Sequence, residues 1–254
     1  HDTVRRQRQM CIRDRPYIFL ALISLVLISA CSAKPPEKIL FVGNSYTGGI
    51  RKMVTELIKQ SPHSKTQILF INPGGKTLEY HLNTKGTIAK IKQGQFDLII
   101  LQDQSQFPAL FPERFQEAAI SLAKIINESG SKLVFYETWG RRDGDRKNKK
   151  LFPTYESMQR VLSKSYHSTA KKCAADVAPV GSTWKVVMGK NPKLGNELYR
   201  SDGSHPSQKG AYLAACVFYT TLFGEDPRTL KFNGGLLTAE ADLIKAAAFS
   251  TRKN

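Results

Sequence analysis

The chain has 254 residues, 41% hydrophobic and 23% charged, which suits one globular domain with a substantial core and excludes a disordered tail, a disulfide-dense mini-scaffold or a polytopic membrane protein. Thirty-eight Lys and Arg against twenty-one Asp and Glu give a net charge of +17, but the positive residues are scattered and no nucleic-acid motif accompanies them, so an ordinary basic protein without a nucleic-acid partner is expected. Four cysteines with no CxxC pair suggest neither a disulfide framework nor a metal site.

The first thirty residues stand apart from the fold. Residues 1–15, HDTVRRQRQMCIRDR, lack apolar periodicity, and MCIRDR reads like translated sequencing-adapter sequence. They are expected to be a non-native leader, in which Cys11 has no role. Residues 16–30 follow the arginines with an apolar run from Tyr17 to Ile28, too short to span a bilayer comfortably as a lasting helix. Ile28-Ser29-Ala30-Cys31 resembles the lipobox of bacterial lipoproteins. That resemblance implies a signal peptide over 16–30, a diacylglycerol on Cys31 and a Pro-rich tether over 31–37. Ser32 rather than aspartate follows the cysteine, which by the same analogy points to the periplasmic face of the outer membrane. The leader carries five of the arginines and two of the aspartates, so the positive balance does not depend on it.

From residue 38 to 254 the pattern is that of a single domain. Strands are expected at 38–42 (KILFV), 66–71 (TQILFI), 97–101 (DLIIL), 132–137 (KLVFYE) and 176–180 (DVAPV). Most are continuous apolar runs, as strands buried on both faces of a parallel sheet require. Helical spacing covers 50–60, 112–129, 154–175 and the strongly apolar 207–223, and the polar stretch 140–150 reads as a solvated loop. Strand–helix alternation predicts an α/β fold, a three-layer α/β/α sandwich around a mainly parallel five-stranded sheet. In such sheets ligands bind at the carboxyl ends of the strands.

Two segments lie where chemistry is expected. Gly43-Asn44-Ser45-Tyr46-Thr47-Gly48-Gly49 follows the first strand without a GxGxxG or GxxxxGK[ST] spacing, so a nucleotide site is weakly supported. A serine there is exposed at the sheet edge near the positive end of a helix, a good place for a nucleophile; taken alone, it reads as a helix cap. Asp202 and His205, in Ser201-Asp202-Gly203-Ser204-His205-Pro206-Ser207, are three apart on a glycine turn before the last large helix. The carboxylate can hold the imidazole Nδ1–H and leave Nε2 to take a serine proton. An isolated DxxH is more often a surface turn, and Ser207 is the expected N-cap.

Together, GNSYT and DGSHPS resemble the SGNH/GDSL hydrolase superfamily, over roughly residues 38–223. The resemblance implies a flavodoxin-like sandwich without a cofactor or metal, with Ser45 as nucleophile, His205 as general base and Asp202 as its orienter. It also implies an oxyanion hole of the Ser45 N–H, a second-block glycine and a third-block amide. Asn72-Pro73-Gly74-Gly75-Lys76-Thr77 supplies the glycine, Gly75 ahead of Gly74. Where the family has GxND this chain has Leu101-Gln102-Asp103-Gln104, so the amide is Gln102 or Gln104, and Asn44 stands where aspartate is common.

Tyr46, beside the nucleophile, is expected to touch substrate, whereas Trp184 reads as core. Cys173 and Cys216 are expected to be separate buried thiols, a bridge being the weaker alternative. The implied activity is a serine esterase acting on small acyl esters, acetyl foremost, of envelope or imported carbohydrate. The alternatives are an acyltransferase on a glycan and a noncatalytic, lipid-anchored glycan-binding module.

Overall fold

The computed structural model describes residues 34–252. The leader, the signal peptide, Cys11 and the proposed lipidation site Cys31 lie outside the described residues. β1 (Lys38–Val42), β2 (Gln67–Ile71), β3 (Leu98–Leu101), β4 (Lys132–Tyr136) and β5 (Asp176–Ala178) form one sheet. Every pairing is parallel, in the order β2-β1-β3-β4-β5. Ile39 to Val42 are fully buried, which is why β1 reads as an unbroken apolar run rather than an alternating one.

Ten helices complete the chain: α1 (Ser45–Lys59), α2 (Leu78–Leu82), α3 (Lys85–Gln93), α4 (Phe107–Leu110), α5 (Pro112–Glu128), α6 (Tyr155–Lys172), α7 (Val180–Lys190), α8 (Pro192–Glu197), α9 (Gln208–Phe223) and α10 (Thr238–Ser250), counted among the described residues. Successive strand side chains point to opposite faces, so each strand feeds two cores. Ile39, Phe41 and Tyr136 pack with residues of α1, α7, α9 and α10. Leu40, Val42 and Phe135 pack with residues of α2 to α6. The result is the expected three-layer sandwich, with a sheet that is parallel throughout.

The layers also decide the cysteines. Cys216 lies in the α9 core on one face, while Cys173 packs against the other, and both thiols are free. With the sheet between them their Cα atoms cannot approach the roughly 4.4–6.8 Å that a disulfide needs.

Several boundaries differ from the periodicity. α1 begins at Ser45, five residues before its apolar stripe, so the glycine-containing segment is the first helical turn rather than a loop. Residues 140–150 are not merely solvated: Asp145 is fully buried and accepts bonds from Arg141 Nη1 (3.1 Å), the Lys147 N–H (3.1 Å), Asn148 Nδ2 (2.8 Å) and Gln106 Nε2. α9 is buried from Gly210 to Thr220 and closes on Gly224 at φ +71, the left-handed C-terminal stop that glycine adopts without steric cost.

β1 pairs with β2 on one side and β3 on the other, so the chain reverses its direction of travel across the sheet between β1 and β3. A crevice opens at such a switch point beyond the strand ends. The segments after Val42 and Leu101 enter it.

Candidate active site

Asn44 caps α1: its side-chain oxygen accepts the Tyr46 N–H at 3.2 Å. Ser45 is therefore the first helical residue, and its own N–H, like those of any first turn, has no partner within the helix. The macrodipole favours negative charge at that point.

The segment carrying Asp202 and His205 is a tight turn. Tyr199 and Pro206 form an isolated antiparallel bridge, the Arg200 N–H bonds the His205 carbonyl at 2.9 Å, and Gly203 takes φ +65 between them. Ser207 then caps α9, accepting the Gly210 N–H at 3.3 Å, while its hydroxyl donates to the Glu197 carbonyl. This fixes the histidine just ahead of a rigid helix. His205 Nε2 lies 3.0 Å from Ser45 Oγ, and Nδ1 lies 2.6 Å from Asp202 Oδ2. An anionic carboxylate only accepts, so Nδ1 carries the proton and Nε2 is left to accept from the serine hydroxyl. Burial works against ionisation of Asp202. Bonds from His205 and from the N–H groups of Ser204 and His205 outweigh it and hold the carboxyl below its ordinary value.

Tyr46 does not line an opening. It is 2% exposed, stacked on Trp139 with centroids 4.7 Å apart, and Trp139 stacks in turn on Trp184 at 4.1 Å. Its hydroxyl shares a 2.8 Å bond with Ser204 Oγ, and Trp139 Nε1 donates to the Ser204 carbonyl at 2.9 Å. The expected substrate contact is thus corrected to a brace behind the histidine turn. Its adjacency to Ser45 suggested exposure, but helical geometry turns residue i+1 away from residue i. Trp184 is core, as expected.

The two glutamines separate by their hydrogen-bond inventories. Gln102 is fully buried. Its Oε1 accepts from the Asn44 N–H (3.0 Å) and Thr47 Oγ1 (2.8 Å), and its Nε2 donates to Asn44 Oδ1 (3.1 Å) and to the Asp103 carbonyl. A glutamine amide offers two donors and two acceptor sites, so Gln102 has nothing left for an oxyanion. Gln104 is half-buried. Its Oε1 accepts the N–H groups of Gln106 and Phe107 (2.8 and 3.1 Å), whereas Nε2 makes only 3.4 Å contacts, which are weak. Gln104 is the amide with donors to spare.

The second block is tied to this assembly. Asn44 Nδ2 donates to the Lys76 carbonyl at 2.9 Å, next to the exposed Gly75 at φ +69. An aspartate at position 44 has no donor for that bond, so Asn44 and Gln102 form one interlocked departure from the family pattern. Asp103 Oδ1 accepts the N–H of Leu78 (3.1 Å) and of Gln104 (2.6 Å), joining the second and third blocks. Its other oxygen is buried without a partner, and burial raises the carboxyl to about 7. His81, fully buried, donates Nε2–H to the Gly43 carbonyl at 2.8 Å, and burial lowers its basicity. These supports went unread in the sequence, because a buried histidine or aspartate leaves no periodic signature.

Among the described residues no cluster of His, Cys, Asp and Glu is placed to hold a metal ion. No family profile and no curated protein matches the chain. Among solved structures, a protein from Slackia heliotrinireducens assigned as an SGNH hydrolase is 29% identical, with a TM-score of 0.62, covering 72% of this chain and 97% of its own. A DUF4886-family protein from Bacteroides uniformis superposes with a TM-score of 0.68 at 17% identity, covering 84% of this chain and 93% of that one. An acetyl xylan esterase gives 0.59 at 12% identity, covering 73% and 99%. At their identities the last two speak for the fold alone.

Proposed function

We propose, for a chain that belongs to the SGNH/GDSL superfamily of ester hydrolases, that it cleaves small acyl esters, acetyl esters of carbohydrate foremost, through an acyl-serine intermediate. One observation carries the reading: Ser45, His205 and Asp202 stand in hydrogen-bonded sequence, 3.0 and 2.6 Å apart. His205 Nε2 takes the Ser45 proton as Oγ attacks the ester carbonyl, and Asp202 stabilises the imidazolium that forms. The oxyanion is received by the Ser45 and Gly75 N–H groups and the Gln104 amide. Each such donor is worth roughly 3 kcal/mol when removed singly. The imidazolium then protonates the leaving alcohol, and water, deprotonated by the same histidine, releases the acid.

Preference for a short acyl group rests on the superfamily resemblance; the Tyr46–Trp139–Trp184 stack, with side chains at most 2% exposed, fills the space behind the histidine turn and leaves no room there for a long chain. We further place the protein in the bacterial envelope, anchored through Cys31 at the periplasmic face of the outer membrane, on the lipobox-like 28–31 segment alone. Release of acetate from acetylated xylo-oligosaccharides by the wild type, absent in Ser45→Ala, is the expected outcome. Failure to release acetate from any acetylated glycan contradicts the substrate assignment. Mass spectrometry of the mature N-terminus tests the anchor, and an unmodified chain beginning away from Cys31 overturns it.

A further inference from the structure

One helical turn beyond Ser45, Gly49 lies against Pro206, the residue that follows the histidine. A Cβ at Gly49 would sit 2.8 Å from Pro206 Cγ. These two residues form one wall of an open groove of about 500 Å³, within the range of small-molecule sites. Met53, Ala211 and Phe232 give it apolar surface, and Lys52, Glu56 and Arg200 give it charge. The charges do not cancel. Glu56 is engaged with Lys59 at 3.9 Å. Arg200 spends Nε on the Pro206 carbonyl at 3.0 Å. Neither Lys52 nor Arg200 forms an ion pair among the described residues. An apolar surface flanked by two cations and one carboxylate carries net positive charge, which complements a ring that bears an anion.

We propose that this groove binds the alcohol half of the substrate, and that this half is an acidic sugar, its ring face against Phe232 and Met53 and its carboxylate between Lys52 and Arg200. The assignment to the alcohol half rests on the hydrolytic reading. The groove adjoins Pro206, on the histidine side from which the leaving oxygen is protonated, while the oxyanion donors Gly75 and Gln104 come from the other two blocks. Arg200 also holds the Pro206 carbonyl, so Lys52, exposed on α1, is the cleaner residue to change.

Two measurements separate the groove from the chemistry. The first titrates D-galacturonate and D-galactose into the Ser45→Ala protein by ligand-observed NMR. Galacturonate is expected to bind about tenfold more tightly, and Lys52→Gln to remove most of that preference. The second compares 4-acetoxybenzoate with phenyl acetate in the Ser45-containing enzyme. Lys52→Gln is expected to lower the ratio of their kcat/KM values about tenfold, through KM, and salt at about 0.5 M to shrink the effect. Equal binding of the two sugars, or a ratio unmoved by Lys52→Gln, overturns the proposal. A galacturonate preference in a protein that turns over neither ester upholds the groove and defeats the hydrolytic reading instead.

Discussion

Which of Gln102 and Gln104 has an amide free for the proposed oxyanion hole follows from the bonds each already makes, and the two predict different phenotypes. Gln104→Ala should lower kcat about 10²–10³-fold with little change in unfolding free energy, as loss of one oxyanion donor does. Gln102→Ala strands the buried Asn44 N–H and the Thr47 hydroxyl, at about 1–3 kcal/mol for each unsatisfied group. It should therefore appear first as a lower midpoint in urea. Equal effects of the two on stability would contradict the division. Asp202 is held below its ordinary value and so keeps the charge that orients the imidazole and stabilises imidazolium. Asp202→Asn should cut kcat severely while the protein stays folded.

Asp103 makes a separate statement about stability. Its folded value of about 7 lies above the ordinary 3.8. Between those values the unfolded chain gives up a proton that the folded chain keeps. The contribution is thus fully present below about pH 4 and is lost as pH rises to about 7. The urea midpoint of the wild type should fall relative to that of Asp103→Asn as pH rises across that window, and a difference between the two that does not change with pH would contradict the shift. Ser45, Asp202 and His205, the proposed nucleophile, orienter and base, are legible in the sequence because each lies in a local motif, GNSYT or DGSHPS. The sequence left the glutamines undecided because adjacent amides have the same chemistry, and only burial tells them apart.

Helix boundaries were legible where one face is apolar and the other polar. α5, with Phe115, Ala118, Leu122 and Ile126 buried on one face, matched its periodicity closely. α1 was read too late, because Ser45 to Gly49 contributes no apolar stripe and is held helical by the Asn44 cap. α2 has five residues, too few for a period, and starts on a Thr77 cap. α10 is alanine-rich, so its buried face, with Ala241, Ile244, Ala247 and Ala248, contrasts little with the rest. The α1–histidine-turn contact yields a test at this scale. Gly49→Ala drives a Cβ to 2.8 and 3.1 Å of the Pro206 ring and must displace the turn that holds His205. Because a misplacement of about 1 Å can cost about 10²-fold, kcat should fall by that order. The overpacking itself should cost only about 1–3 kcal/mol in stability. A variant with wild-type kcat would show that the turn is not seated by this contact.

Across the whole molecule, sheet order rather than any single motif places the chemistry. With β1 between β2 and β3, the nucleophile turn, the glycine block and the glutamine block emerge side by side at the switch point. Alternation of strands and helices predicted that architecture, though not the strand order, which depends on crossovers that leave no local mark. The same layering keeps Cys173 and Cys216 on opposite faces. Thiol titration of the folded protein should proceed slowly at Cys216, whose thiol burial pushes up to about 12. On denaturation without reductant both should react, and a missing pair of thiols would contradict the layer assignment. The central claim, that Ser45 is a nucleophile activated by His205, is tested most directly by covalent labelling with a fluorophosphonate probe. The wild type should label at Ser45, identified by peptide mass spectrometry, His205→Ala should label far more slowly, and Ser45→Ala should not label. Labelling that persists unchanged in Ser45→Ala, or a folded wild type that never labels, would contradict it.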